Sequence, residues 1–155
     1  MTTQDPEPDE FSLLLDDQMC FALYAASRAV TGLYRPLLNE LGLTYPQYLV
    51  MLVLWERGSV PVKVLSSALH LDYGTLTPLL RRLEHNGLVR RERQVSDERS
   101  VLIELTEAGT ELRGRARTVP GEIGAAMALD GDEFEQLRRS LRRLTGNVLR
   151  ASDQR

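Results

Sequence analysis

The stretch that decides the fold is LDYGTLTPLLRRLEHNGLVRRERQVSDERSVLIELTEAG, which runs from Leu71 to Gly109. Asp72 is a good N-cap for a helix that Gly87 ends, and the period of the apolar residues then changes from helical to strand-like. A shorter helix opened by Pro61 precedes this stretch. The predicted elements are helices over 62–70 and 73–86 and strands over 88–95 and 100–105, with a polar tip over 96–99. Their order predicts a helix-turn-helix followed by a hairpin.

This order is typical of a winged helix-turn-helix, whose second helix enters the major groove of DNA. Leucines at spacings of three and four face the core, at 76, 79, 80 and 83. The opposite face begins with small residues and becomes basic, which suits close approach to base edges and phosphates. Residues 57–99 hold eight basic and five acidic side chains, a net charge of +3. The predicted DNA contacts are Lys63, Tyr73, Gly74, Thr75, Thr77, Pro78, Arg81, Arg82, Arg91, Asp97 and Arg99. The alternative is that the charged helix and hairpin form only a solvent-exposed surface that does not bind DNA.

Composition excludes several other classes of protein. The chain has 155 residues, a net charge of −3 and one cysteine, so an internal disulfide is impossible and a cysteine-cluster metal site is excluded. The longest apolar run, 48–55, is far shorter than the roughly 20 residues that span a bilayer. The acidic N-terminus is not a secretory signal. We expect a cytoplasmic protein that needs no cofactor, does not act on membranes and is not an enzyme.

Cys20 is the one nucleophile that stands out. It lies near the start of a helix predicted over 13–41, where the helix dipole modestly favours a thiolate. Tyr24 is four residues away and can reach the sulfur, whereas Tyr34 is fourteen residues away, about 21 Å along the axis. Tyr34 could reach Cys20 only of a second copy whose helix crosses antiparallel. The alternative is that Cys20 is a small core hydrophobe.

Three stretches closely resemble the organic-hydroperoxide-sensing repressors of the MarR family. They are MCFALYAASRAVTGLYRPLLNELGLTYPQYLVMLVLWE (19–56), LDYGTLTPLLRRLEHNGLVRR (71–91) and DERSVLIELTEAG (97–109). The similarity covers most of residues 13–150. The hairpin and the LTEAG motif are typical of the MarR family generally, and CFALY, LYRPLL, LTYPQYL and GTLTPLL are specific to the hydroperoxide sensors. Tyr73 departs from the pattern, where a smaller residue is expected.

The resemblance implies a mainly α (α+β) homodimer bound to double-stranded DNA at an inverted-repeat operator, with Cys20 as redox sensor and Tyr24 and Tyr34 as its phenol partners. An organic hydroperoxide would oxidise Cys20 to a sulfenic acid and release the operator of a peroxide-resistance gene. With no second cysteine, the sulfenic acid would condense with a low-molecular-weight thiol or a backbone amide, or oxidise further. The expected organisation is an acidic tail over 1–12, one domain over 13–150 and a tail over 151–155. Within the domain, 46–105 form the winged helix-turn-helix and 13–45 and 106–150 the dimerisation helices.

The sequence also allows three other functions. One is a MarR-type repressor controlled by a noncovalent phenolic or drug-like ligand, for which Cys20 would be incidental. A one-cysteine peroxidase is disfavoured because the sequence predicts no thioredoxin-like frame and no arginine next to Cys20. A plain dimeric interaction module is the third, and failure to bind any DNA would favour it.

Overall fold

The computed structural model describes residues 12–94 and 97–155, without the side chains of 97–99. The chain divides into two compact units, one ending at Ala116 and one spanning Arg117–Arg155. Both are mainly helical, and the first also contains a three-stranded antiparallel sheet, so the predicted fold class is confirmed. Within the described ranges, no helix has both the length and the apolarity needed to cross a membrane. The predicted tail over 1–12 lies outside these ranges except for Ser12.

The first unit begins with a 3-10 turn and then follows the predicted order of helices and strands. Its elements are the 3-10 turn Leu15–Asp17, α1 Met19–Glu40, α2 Tyr45–Arg57, β1 Val60–Pro61, α3 Val62–Leu69, α4 Tyr73–His85, β2 Val89–Gln94, β3 Asp97–Leu105 and α5 Glu107–Ala116. The predicted cap is confirmed at Asp72, which accepts from the Thr75 amide at 2.7 Å. Thr44 caps α2, and its side chain forms a capping box with Gln47.

The first helix begins six residues later than the sequence predicts. Gln18 has an extended backbone, and its side-chain amide donates to the carbonyls of Ser12 and Leu14, which holds the preceding residues in a separate short turn. Asp16 and Asp17 therefore precede α1 instead of lying in its first turn. Cys20 is consequently the second residue of α1, so its amide is one of the four N–H groups that have no partner within the helix.

The core of the first unit surrounds α2, as its nearly uniform apolarity predicts. Val50, Met51 and Leu54 are fully buried, and they belong to the same core as the inward leucines of α4. Three of those four leucines, 76, 80 and 83, are buried and Leu79 is half-buried. Burying each leucine contributes about 1.5–3 kcal/mol. Packing thus fixes which face of α4 remains exposed.

The sheet differs from the predicted hairpin in two ways. Its order is β1-β3-β2, because the two-residue strand β1, which the sequence did not predict, pairs Val60 with Ile103. A strand this short leaves no periodicity to detect. The second strand also begins earlier than expected, since the Cα of Asp97 pairs with that of Gln94. Asp97 and Arg99 therefore belong to β3 rather than to the polar tip.

The second unit consists of α6, Val119–Met127, and α7, Gly131–Asp153. Asp130 caps α7 through a capping box with Glu133. Large apolar side chains at spacings of three and four form a stripe along α7. Phe134, Leu137, Leu141 and Val148 are 39–55% solvent-exposed, and Leu144 is half-buried. A stripe of large apolar side chains exposed to this degree is typical of a protein interface.

Candidate nucleic-acid interface and sensor thiol

The outward face of α4 carries the predicted base-reading side chains. Thr75 and Pro78 are exposed, as are Gly74, Arg81 and Arg82. Thr77 is half-buried and donates its hydroxyl to the Tyr73 carbonyl at 2.7 Å, so its side-chain proton is already used within the helix. Tyr73 is 55% exposed at the start of α4. The face is therefore small near its N-terminus and cationic in its second half, as predicted.

Four of the predicted DNA-contacting residues line one recess beside α4. Lys63 comes from α3, Tyr73 and Thr77 from α4, and Arg91 from β2, around a volume of about 390 Å³. Two cationic side chains and a phenol hydroxyl at a single opening suit a phosphate group. The fold thus brings together residues that lie up to 28 positions apart in the sequence.

Arg91 is held by Glu84 in a contact that the sequence did not reveal. Its Nε and one terminal nitrogen donate to the two Glu84 oxygens at 3.2 and 3.3 Å, and its backbone amide donates to Glu84 Oε2 at 3.1 Å. These hydrogen bonds lower the pKa of Glu84. Glu84 therefore ties the end of α4 to the base of the hairpin. Any phosphate that Arg91 binds therefore lies close to the Glu84 carboxylate.

The two arginines that the sequence predicts as DNA contacts on α4 lie beside a second recess, of about 480 Å³. Arg81, Arg82 and His85 of α4 line it together with Gln47 of α2. His85 is not among the predicted DNA contacts, although it lies four residues after Arg81 and therefore on the same side of α4. The side chains of Asp97 and Arg99 lie outside the described residues, so their DNA contacts remain predictions.

Cys20 is exposed on α1. The Tyr24 hydroxyl accepts a hydrogen bond from Arg28 at 2.8 Å, and the Arg28 guanidinium also lies 5.5 Å from the Tyr24 ring centroid. The Tyr24 phenol therefore keeps its own proton free to donate while Arg28 holds the ring. Arg28 lies four residues after Tyr24, and this i+4 spacing is the sequence signal for their contact.

Tyr34 packs into an aromatic cluster with two tyrosines of α2. Its ring centroid lies 4.8 Å from that of Tyr45 and 5.7 Å from that of Tyr48. Partial burial, with the neighbouring phenols as a smaller cause, raises the pKa of Tyr34 to about 12. Burial also raises the pKa of Tyr45 and of Tyr48. All three side chains are thus neutral phenols at physiological pH, able to donate a hydrogen bond.

Comparison with known proteins agrees with this geometry. The family described as transcriptional regulator SarA/Rot matches residues 32–114. The organic hydroperoxide resistance transcriptional regulator of Bacillus subtilis is 49% identical over 127 residues, which cover 82% of this chain and 86% of that protein. The HTH-type transcriptional regulator MgrA of Staphylococcus aureus is 38% identical over 141 residues, covering 90% and 93%.

One of the similar solved structures is a complex with DNA. Reduced AbfR bound to DNA superposes with a TM-score of 0.77 at 34% identity, covering 88% of this chain and 94% of the other. AbfR is a protein of Staphylococcus epidermidis. The relatives are transcriptional regulators rather than enzymes. With the winged helix-turn-helix, the exposed thiol and these relatives in agreement, the chain belongs to the MarR family of transcriptional regulators, among the organic hydroperoxide resistance regulators.

Proposed function

We propose that this protein is a redox-sensing, DNA-binding transcriptional repressor that organic hydroperoxides inactivate through Cys20. The observation that carries the proposal is the position of the sole thiol, exposed in the first turn of α1, on the same helix as Tyr24 and Tyr34. The Bacillus subtilis relative is named for organic hydroperoxide resistance, and AbfR is seen on DNA in its reduced form. The protein acts in the cytoplasm, which holds the DNA and keeps thiols reduced.

In this proposal α4 lies in the major groove and the β2–β3 hairpin lies along the neighbouring minor groove. The small residues Gly74, Thr75 and Pro78 allow the helix to approach the base edges. Arg81 and Arg82 pair with guanine or phosphate, and the recess with Lys63, Tyr73 and Arg91 holds a phosphate. Thr77 contributes its methyl group, since its hydroxyl is engaged by the helix backbone. Asp97 orients Arg99 in the minor groove.

The functional form in this proposal is a homodimer on an inverted-repeat operator. Two apolar surfaces support it: Met19 and Phe21 on α1 are 67% and 39% exposed, and the stripe of α7 is exposed as well. Residues 13–45 and 106–150 would form the dimerisation helices and 46–105 the DNA-binding part. Because Tyr34 lies about 21 Å along α1 from Cys20 in the same chain, it would meet the thiol of the partner.

The chemistry begins with attack of the Cys20 thiolate on the terminal oxygen of the hydroperoxide. A sulfur–oxygen bond forms, the oxygen–oxygen bond breaks, and the alkoxide leaves as an alcohol after taking a proton. The product is a sulfenic acid, whose condensation with a low-molecular-weight thiol gives a mixed disulfide and water. Added bulk at Cys20 displaces the phenols around it and changes the spacing of the two recognition helices.

Fluorescence anisotropy of the reduced protein on its upstream DNA tests this proposal. Addition of cumene hydroperoxide and a small thiol should release the wild type, whereas Cys20→Ser should stay bound. A matched titration with salicylate tests the noncovalent alternative. Release of Cys20→Ser by the hydroperoxide would contradict the redox role of Cys20. Release of both proteins by salicylate alone would favour the phenolic-ligand repressor instead.

A further inference from the structure

Four oxidisable aromatic side chains of α1 and α2 form a continuous series of ring contacts. We call Trp55, Tyr48, Tyr45 and Tyr34 the aromatic chain. The ring centroids of Trp55 and Tyr48 are 6.4 Å apart, and those of Tyr48 and Tyr45 are 6.5 Å apart. Tyr34 lies 5.7 Å from Tyr48 and 4.8 Å from Tyr45, so two routes lead to it. Stacking alone would be satisfied by phenylalanine, yet all four positions carry a phenol or an indole.

The surroundings of Tyr48 and Trp55 favour movement of an electron over release of a proton. Tyr48 is 2% exposed, so no bulk water separates it from its neighbours. The Trp55 indole N–H donates to the Gly109 carbonyl at 2.9 Å. A carbonyl oxygen is a very weak base, so an oxidised indole at this position retains its proton and remains a strong oxidant. Tyr34 and Tyr45 are only half-buried and can lose a proton to solvent.

We propose that the aromatic chain conducts single-electron oxidation from Trp55 to Tyr34, a chemistry separate from the two-electron oxidation of Cys20. An alkoxyl radical, the one-electron reduction product of an organic hydroperoxide, takes an electron from Trp55 and a proton from water, and leaves as an alcohol. Tyr48 returns an electron to the indole radical cation and becomes, transiently, a phenol radical cation that keeps its proton because the side chain is buried. Tyr34, directly or through Tyr45, then returns an electron to Tyr48 and releases its phenol proton to solvent, leaving a tyrosyl radical.

Moving the radical away from Trp55 would protect a hydrogen bond that joins two helices of the first unit. Trp55 links α2 to the start of α5 through its hydrogen bond to Gly109, and oxidative opening of the indole ring would remove that bond. A radical moved to Tyr34 instead lies on α1, away from the hydrogen bond between Trp55 and Gly109. This inference does not depend on Cys20, and it can fail or succeed independently of the proposed function.

Pulse radiolysis with the azide radical tests the proposal, because the radical oxidises tryptophan rapidly and Trp55 is the sole tryptophan. The full-length Cys20→Ser protein is used so that the thiol does not compete. We expect loss of the tryptophanyl absorbance matched by a rise of the tyrosyl absorbance, at a rate independent of protein concentration. A rate proportional to protein concentration would mean transfer between molecules and would overturn the proposal.

Phenylalanine variants locate the route. Tyr48→Phe keeps the ring but cannot be oxidised, so the concentration-independent phase should be lost. Tyr24→Phe and Tyr73→Phe remove tyrosines outside the aromatic chain and should leave its rate unchanged. Persistence of the phase in Tyr48→Phe, or its loss in a control, would contradict the assignment. The double variant Tyr34→Phe, Tyr45→Phe should move the trapped radical product to Tyr48 or Trp55 in peptide mass spectra; circular dichroism verifies that each variant is folded.

Discussion

At the level of single residues, the tyrosines show which contacts can be predicted from spacing along one helix and which cannot. The i+4 spacing predicts Tyr24 near Cys20, and the 14-residue spacing predicts Tyr34 further along the same helix; α1 contains all three residues. Tyr45 and Tyr48 were missed because their contacts with Tyr34 join two helices. The i,i+3 spacing of Tyr45 and Tyr48 was the only local signal that both belong to one face.

The raised pKa values of the three clustered tyrosines predict a loss of stability at alkaline pH. The unfolded chain ionises these phenols near pH 10, whereas the folded protein resists ionisation, with Tyr34 titrating at about 12. Folding stability should therefore be constant below pH 10 and fall between pH 10 and 12. Urea unfolding at a series of pH values, with phenolate absorbance recorded in parallel, measures both. Tyr34→Phe should fall less steeply, and an unchanged slope would contradict the assignment.

At the level of elements, the sequence predicted the helix caps well and the boundaries less well. Thr44 and Asp72 are local signals because a cap is satisfied within three residues. The late start of α1 depends on the side chain of Gln18, and β1 depends on a partner strand more than 40 residues away. The contact between Glu84 and Arg91 also depends on tertiary structure, because the hairpin must fold back onto α4 before the two side chains meet.

At Gly109 the start of α5 lies against the backbone of Leu88, the residue before β2. A Cβ at this position would overlap the Leu88 carbonyl, while its own carbonyl accepts the Trp55 hydrogen bond. Gly109→Ala should therefore lower the free energy of unfolding by about 2–3 kcal/mol. Gly114→Ala, in the same helix but facing open space, should raise it by about 0.5–1 kcal/mol. Urea denaturation compares the two, and equal effects would contradict the described packing.

At the level of the whole molecule, an acidic protein presents a basic face. The net charge of −3 would argue against DNA binding, but the fold gathers Lys63, Arg81, Arg82 and Arg91 around α4. The order of elements was sufficient to predict the DNA-binding fold. The exposed stripe of α7 was readable as an apolar face, although the sequence alone could not reveal that this chain leaves it uncovered.

The basic face predicts a steep dependence of DNA affinity on salt. If about 8 phosphates are neutralised per dimer, the logarithm of the association constant should fall with the logarithm of salt concentration with a slope of about −7. Arg82→Gln should make the slope shallower, by about 2 per dimer, because it removes a cation from each subunit. Arg138→Gln on α7 is the matched control and should leave the slope unchanged. A slope near zero in the wild type would contradict the basic face.

The central claim is that oxidation of Cys20 releases the DNA, and a paired measurement tests it most directly. Aliquots taken during a hydroperoxide titration of the DNA complex are analysed at once for anisotropy and, by intact mass spectrometry, for the oxidised fraction of Cys20. We predict that, in the wild type, the fraction of released DNA rises with the oxidised fraction of Cys20. Cys20→Ser should show neither oxidation at position 20 nor release of DNA. DNA release from protein whose Cys20 is still a thiol would contradict the claim.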